Sequence, residues 1–351
     1  MAYTTIDDPS AFFNTVLYTG NQSTNAITNS ANAGDFQPDW VWLKSRNSAT
    51  HHRLYDSSRG ALKNIISSAQ NAEATTANSL TSFDSNGFTL GSDDNSNQNS
   101  KTFVGWQWKA NGGTTTSFTE SGSNPGGTYQ ANTTAGFSIV TYTGTGSAGT
   151  IAHGVGATPH WVLVKNRSSG STQWYNQHIS NSSASKGQTL STNGAEQTLS
   201  AVFNDTRASS TVFSVGNNNS INDSGDNYVA YIFAPIKGYS KFGSYIGNGN
   251  ADGPFVYTGF KPAFVIYKRI DSNKDWHQYD NKREPNNEMS TTIYPNRNYA
   301  EGASDALDFL SNGFKQRNTG AEANASGGTF IYIAFAEHPF VSSKGVPVTA
   351  K

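Results

Sequence analysis

The chain of 351 residues contains no cysteine. Disulfides and thiolate metal sites are thereby excluded, and a secreted protein of cellular origin would more often carry some. Charge is scarce too: Asp, Glu, Lys and Arg make up 14% of the chain, against roughly 25% in ordinary soluble proteins. The net charge is −1 with no basic run or stripe, so the electrostatic footprint of a nucleic-acid partner is missing. No apolar stretch reaches about eighteen residues, and the N-terminus is not charged-then-apolar; neither a membrane span nor a secretory signal is expected. Helix signal is confined to brief pieces such as Ala61-Leu-Lys-Asn-Ile-Ile66.

What is present is repetition. Pro-x-aromatic-Val-x-x-Lys stands near the start of each third: Pro38, Trp40, Val41, Lys44; Pro159, Trp161, Val162, Lys165; Pro262, Phe264, Val265, Lys268. A Tyr-x-Gly turn precedes each copy (Tyr18 and Gly20, Tyr142 and Gly144, Tyr245 and Gly247). An alternating strand closes each third: Phe103-Val-Gly-Trp106-Gln-Trp108, Tyr228-Val-Ala-Tyr231-Ile-Phe233 and Phe330-Ile-Tyr-Ile333-Ala-Phe335. The repeat is far longer than a solenoid unit of roughly 20–50 residues and fits a small domain. Aromatics at 12% suffice for three cores, since each buried ring removes roughly 150–250 Å² from water.

The runs Trp40-Val-Trp-Leu43, Trp161-Val-Leu-Val164 and Phe264-Val-Ile-Tyr267 predict central strands buried on both faces. Short strands with Gly/Asn turns imply antiparallel sheets. The expected fold is all-β: three tandem homologous antiparallel β-sandwich domains, jelly-roll or lectin-like, at 13–110, 137–236 and 242–340. Residues 1–12 read as a leader and 341–351 as a tail. Residues 111–136, rich in Gly, Ser and Thr without hydrophobic periodicity, read as a flexible linker that lets the first domain hinge. Modules two and three, joined almost directly through Ala234–Tyr239, read as closely coupled.

The candidate chemistry is sparse. Lys44, Lys165 and Lys268, with Arg46, Arg167 and Arg269 nearby, read as an anionic-ligand grip or, the favoured reading, as strand ends with solvated head groups. Tyr55-Asp56-x-x-Arg59 and Tyr279-Asp280-x-x-Arg283 read as loop staples. The seven histidines show no metal-site spacing, although His51, His52 and His277 fall in equivalent loops. The Asp/Asn-rich stretches 93–97 and 217–226 offer oxygen ligands for Ca²⁺ without completing a calcium loop, so no cofactor is expected. Trp174 and Trp276, with His277 and Tyr279 beside the latter, are candidate ligand-binding residues if exposed for sugar stacking; the favoured reading of the two tryptophans is that they cap the sandwich core. No phosphate loop, nucleophile elbow or recurring carboxylate pair occurs, so no enzyme is expected.

Ala135-Gly-Phe-Ser-Ile-Val-Thr-Tyr-Thr-Gly-Thr-Gly146, His153-Gly-Val-Gly, Pro159…Arg167, Ser82-Phe-Asp-Ser-Asn-Gly-Phe88 and Lys241…Asn250 resemble a repeat module of virion structural proteins of marine bacteriophages. The resemblance runs from Phe13 to Phe340. It implies a non-enzymatic virion protein that partners other virion proteins and assembles as a symmetric oligomer, with a homotrimer expected. It also implies either a fibre or tail appendage whose loops (92–100, 168–178, 271–284) bind host-surface glycans, or a head decoration or cement protein. A carbohydrate-active enzyme is a third class, which would need a carboxylate pair about 5–10 Å apart. A cysteine-free chain assembled in a reducing host cytoplasm and released by lysis fits the virion location.

Overall fold

The computed structural model describes residues 2–29 and 36–348. Met1 of the expected leader and residues 349–351 of the expected tail lie outside them. The protein is all-β; among the described residues the sheets are antiparallel and the helices single turns. One four-strand order recurs three times: opening, closing, central, flank. In the first repeat these strands are Phe13–Thr19, Thr102–Trp108, Trp40–Ser45 and Arg53–Asp56. In the second they are Phe137–Thr143, Asn227–Phe233, Trp161–Asn166 and Trp174–His178. In the third they are Ser240–Ile246, Thr329–Pro339, Phe260–Arg269 and Trp276–Asp280.

The side-chain alternation of the central strands explains their continuous apolar runs. Val41 and Leu43 point into a core local to their repeat, against Leu80, Phe88 and Leu90 of a second sheet. Val162 and Val164, and likewise Val265 and Tyr267, do the same in their own repeats. The alternate residues Trp40, Trp42, Trp161, Leu163, Phe264 and Ile266 all enter one further core shared by the three repeats. Across those four positions both faces are dry, which is why the run carries no polar alternation.

At the middle of that shared core stand Trp108, Phe233 and Phe335. They hold the same register, opposite Trp40, Trp161 and Phe264 respectively. Their ring centroids lie 6.3, 5.6 and 5.7 Å apart, with interplanar angles of 69°, 70° and 64°. This edge-to-face triangle, a favoured aromatic geometry, marks a pseudo-threefold axis within a single chain.

The Tyr-x-Gly turns have one cause. Tyr18, Tyr142 and Tyr245 stack on Phe103, Tyr228 and Phe330 at 5.1, 4.9 and 4.8 Å. Their hydroxyls donate to the carbonyls of Ser96, Ile221 and Ala323 in the facing loop. That loop packs so closely on Gly20, Gly144 and Gly247 that a Cβ would sit 2.1, 2.2 and 2.2 Å from a carbonyl oxygen.

Residues 111–136 are not a free linker. Thr116–Phe118 and Gly127–Asn132 form strands that extend the second repeat's sheet beyond its opening strand. Asp39 accepts hydrogen bonds from the amides of Ala110, Gly112 and Gly113, and Gln130 accepts from Asn111 and Gly113. The segment lacks apolar periodicity because it is an edge ribbon in whose two strands only Gln130 is buried. The leader is docked too: Ile6 joins the shared core, and Tyr3 donates to the Gly259 carbonyl at 2.7 Å. The first repeat contributes to the shared core as fully as the others, which corrects the expected hinge.

Candidate functional site

The residues expected to bind a ligand are inside the protein. Trp174, Trp276, His277 and Tyr279 are all 0% exposed, which corrects the stacking reading. Their neighbours in sequence look wet because the flank strands carry polar side chains, yet those strands face a neighbouring repeat. Trp174 Nε1 donates to the Ile66 carbonyl of the first repeat at 2.6 Å. Trp276 Nε1 donates to the Thr189 carbonyl of the second at 3.1 Å. Both tryptophans sit opposite a repeated lysine. His52 holds that place in the first repeat, and its Nε2 lies 3.0 Å from the Tyr294 carbonyl of the third. Its Nδ1 accepts from Trp42 Nε1 at 2.7 Å, so Nε2 carries the proton. Burial holds the ring neutral, with its pKa well below the ordinary histidine value. Three equivalent ring N–H groups thus close three equivalent seams in a cycle.

His277 stacks on Tyr267 at 4.9 Å and meets Glu322 at 3.0 Å. Tyr279 donates to the Asp305 carbonyl at 2.6 Å. Both complete the third repeat's interior.

The Asp-x-x-Arg pairs staple their turns, as their spacing leads one to expect, and extend across the seams. Asp56 pairs with Arg59 and accepts from the Tyr231 hydroxyl of the second repeat at 2.6 Å. Asp280 pairs with Arg283 at 2.6 Å and accepts from Trp106 Nε1 of the first at 3.1 Å. The second repeat has His178 in this register, and the third has Ile333 where the donors Trp106 and Tyr231 stand. Donor and acceptor are therefore replaced on both sides of that one seam. His178 Nδ1 accepts from the Ser180 amide, and Nε2 donates to the Tyr332 carbonyl at 3.1 Å. Burial pushes the pKa of His178 down to about 3.

A third cyclic contact escaped the sequence reading. The amides of Glu301, Glu73 and Glu196 donate to the carbonyls of Arg46, Arg167 and Ile270 across the seams, at 2.7, 2.9 and 2.7 Å. Glu73 pairs with Arg167 and Arg59, and Glu301 pairs with Arg46 and Arg283. Glu196, which has no such arginine, accepts instead from Asn181 and Ser182. The signal was an Ala-Glu dipeptide in each third, at Ala72-Glu73, Ala195-Glu196 and Ala300-Glu301.

The repeated lysines are neither an anion grip nor solvated ends. Lys44, Lys165 and Lys268 are fully buried. Lys44 Nζ donates to the carbonyls of Ser45 and Ser48 at 2.6 and 3.0 Å. Lys165 Nζ donates to those of Gln70 and Thr172, both at 3.1 Å, and Lys268 Nζ to those of Arg269 and Ser272. Desolvation lowers their pKa values to about 7, about 8 and about 7.

One asparagine in each repeat ties its loop together. The side-chain amides of Asn97, Asn222 and Asn324 each donate to loop carbonyls at 2.7–2.8 Å. Among the described residues no group of three His, Cys, Asp or Glu side chains could hold a metal ion. Loops 168–178 and 271–284 end in the flank strands and so belong partly to the seams.

The open surface of interest lies elsewhere. A cavity of about 350 Å³ sits between the leader, the first opening strand and the third repeat, with Asp8, Thr15, Asn281 and Lys282 in its wall. A groove of about 570 Å³ runs between Thr15–Thr19 and Asn25–Thr28. A third hollow, of about 740 Å³, lies between Lys282 and the outer sheet of the third repeat, near Met289 and Phe309. Lys282 borders all three. Asp7, Asp8, Glu337 and His338 also line the first cavity.

No curated protein and no solved structure matches the chain. A match to one protein family covers residues 8–339, all three repeats in a single span. The chain belongs to the family described as a domain of unknown function (DUF7483).

Proposed function

We propose that the chain is a non-enzymatic virion structural protein of a bacteriophage, made of three homologous sandwich modules (13–110, 137–236 and 242–340) fused around a common axis. The carrying observation is the closed pseudo-threefold: the Trp108–Phe233–Phe335 triangle together with its cyclic seams. A chain that carries the contact symmetry of a trimer offers three near-equivalent outer faces on one rigid block, which suits a presenting or scaffolding part. The buried Asp56, Arg59, Asp280 and Arg283 are committed to loop staples and seams. The expected homotrimer of chains would add a second threefold level to this internal one.

Within this reading the protein is a fibre or tail-appendage component that contacts the host surface. Host glycans would meet exposed loop residues such as Tyr299, which is 54% exposed, since Trp174 and Trp276 are withdrawn. The burial of those two tryptophans favours a second reading, a head decoration or cement protein that recognises nothing on the host. The protein belongs to the particle and needs no cofactor in either reading. Gold-labelled antibody against the folded chain, imaged on intact particles, separates them. Label at a fibre or tail tip, with antibody blocking adsorption, supports the appendage. Label over capsomers supports decoration, and no label on particles overturns the virion reading.

A further inference from the structure

We propose that the open edge of the first opening strand, Phe13–Thr19, is a docking site for an extended β-strand from a partner protein, one carrying an apolar–aromatic–acidic triplet. The inference stands apart from any location on a particle. It rests on a comparison the molecule makes with itself. In the second repeat, strand Gly127–Asn132 pairs antiparallel with the equivalent opening strand Phe137–Thr143. Three of its side chains define that seat. Thr128 meets Thr141, hydroxyl to hydroxyl, at 2.9 Å. Tyr129 fills the mouth between the two sheets, so close over Gly154 that a Cβ there would lie 2.1 Å from the ring. Gln130, opposite Ile139, reaches across the seam and donates to Ser57 and Ser58 of the first repeat's turn, both at 2.9 Å.

The edge strand, the mouth and the neighbour's turn of that seat recur at the first repeat, and among the described residues no strand of this chain lies in it. Leu17 stands where Thr141 stands and is 41% exposed. The mouth is the groove of about 570 Å³ between Thr15–Thr19 and Asn25–Thr28. The neighbour's turn supplies Asn281 and Lys282, the latter two residues past Asp280 as Ser58 is two past Asp56. Thr15, 5% exposed, replaces the apolar Ile139, and its hydroxyl is buried without a partner. An unmet buried hydroxyl on a sheet edge calls for a polar partner. The exchanges at this seat state the occupant's chemistry: an apolar residue against Leu17, an aromatic ring for the mouth, and a carboxylate against Lys282 and Thr15. Backbone pairing to an open edge supplies the affinity, and these alternate side chains supply the choice of partner. The third repeat shows the same edge, with Ile246, Phe255 and Tyr257 exposed at 57%, 45% and 48%, although Tyr3 already rests on Tyr257.

The probe is a labelled synthetic peptide with the sequence of residues 114–134 carrying Thr128→Val and Gln130→Glu, titrated into the intact protein by fluorescence anisotropy. Saturable binding is expected, together with slowed amide exchange confined to residues 14–19 and 25–28. Lys282→Glu should weaken binding about tenfold, the scale of one desolvated charge contact. Leu17→Lys, a charge on the edge, should abolish it; both residues are exposed, and unchanged melting temperatures will confirm that the variants fold. Absence of saturable binding, or binding indifferent to both substitutions, overturns the proposal. So does a peptide-free dimer in light scattering that Leu17→Lys dissolves, because the occupant would then be a second copy of the chain.

Discussion

Three lysines buried at strand ends hold the loops that follow them by donating to backbone carbonyls. Burial of the ammonium outweighs those bonds, and the folded pKa values fall from 10.5 to about 7, 8 and 7. In the unfolded chain each lysine binds its proton more tightly. The cost of the buried cation is therefore fully present below pH 7 and is lifted as pH climbs from there toward the unfolded value. Stability to urea should rise from pH 7 to pH 9. Above about pH 10 buried tyrosines such as Tyr55, raised to about 12, reverse the trend, because the unfolded chain ionises them first. A triple Lys→Met variant at 44, 165 and 268 should flatten the rise between pH 7 and 9; equal slopes in both proteins would show the lysines do not titrate there. The staples make a second residue-scale prediction. Arg59→Ala leaves Asp56 buried with only Tyr231 and its own turn, and breaking such a pair costs about 3–5 kcal/mol. A urea-unfolding loss below about 1 kcal/mol, typical of an exposed ion pair, would contradict it.

At the scale of elements, the central strands were legible and the flank strands were not. Trp40-Val-Trp-Leu43 and its two counterparts read correctly as strands with two dry faces, because no polar side chain interrupts them. Trp174-Tyr-Asn-Gln-His178 and Trp276-His-Gln-Tyr-Asp280 read as loop or edge positions, not as strands. Trp174, Asn176, Gln177, His178 and Trp276 donate to backbone carbonyls of other segments, and a backbone acceptor leaves no mark in the sequence. The Asp-x-x-Arg staple was readable from its spacing, whereas its seam partners Tyr231 and Trp106 lie more than 170 residues away. The ribbon at 116–132 was read as linker because an edge strand needs neither hydrophobic alternation nor length. Gly127 lies so near the opening strand that a Cβ would come within 2.0 Å of the Thr141 carbonyl oxygen. Gly127→Val should detach this ribbon while leaving the rest folded. Limited proteolysis would then nick within 114–134 at low protease, and resistance equal to the parent would argue against the ribbon's pairing.

Over the whole molecule, the repeats are bound through a core none of them owns. Trp108, Phe233 and Phe335 touch one another, and each is at most 2% exposed. Removing one ring empties a site bounded by all three repeats, so Trp108→Ala should cost about 3–5 kcal/mol and draw it from every repeat at once. The most direct test of this closed pseudo-threefold is native-state hydrogen exchange under rising urea, followed by mass spectrometry in the central strands 40–45, 161–166 and 260–269. The account predicts that the three strands open with one common free energy and one common urea dependence, and that Trp108→Ala lowers all three equally. Opening of the first repeat's strand at lower urea than the others, or a Trp108→Ala effect confined to residues 13–110, would contradict it.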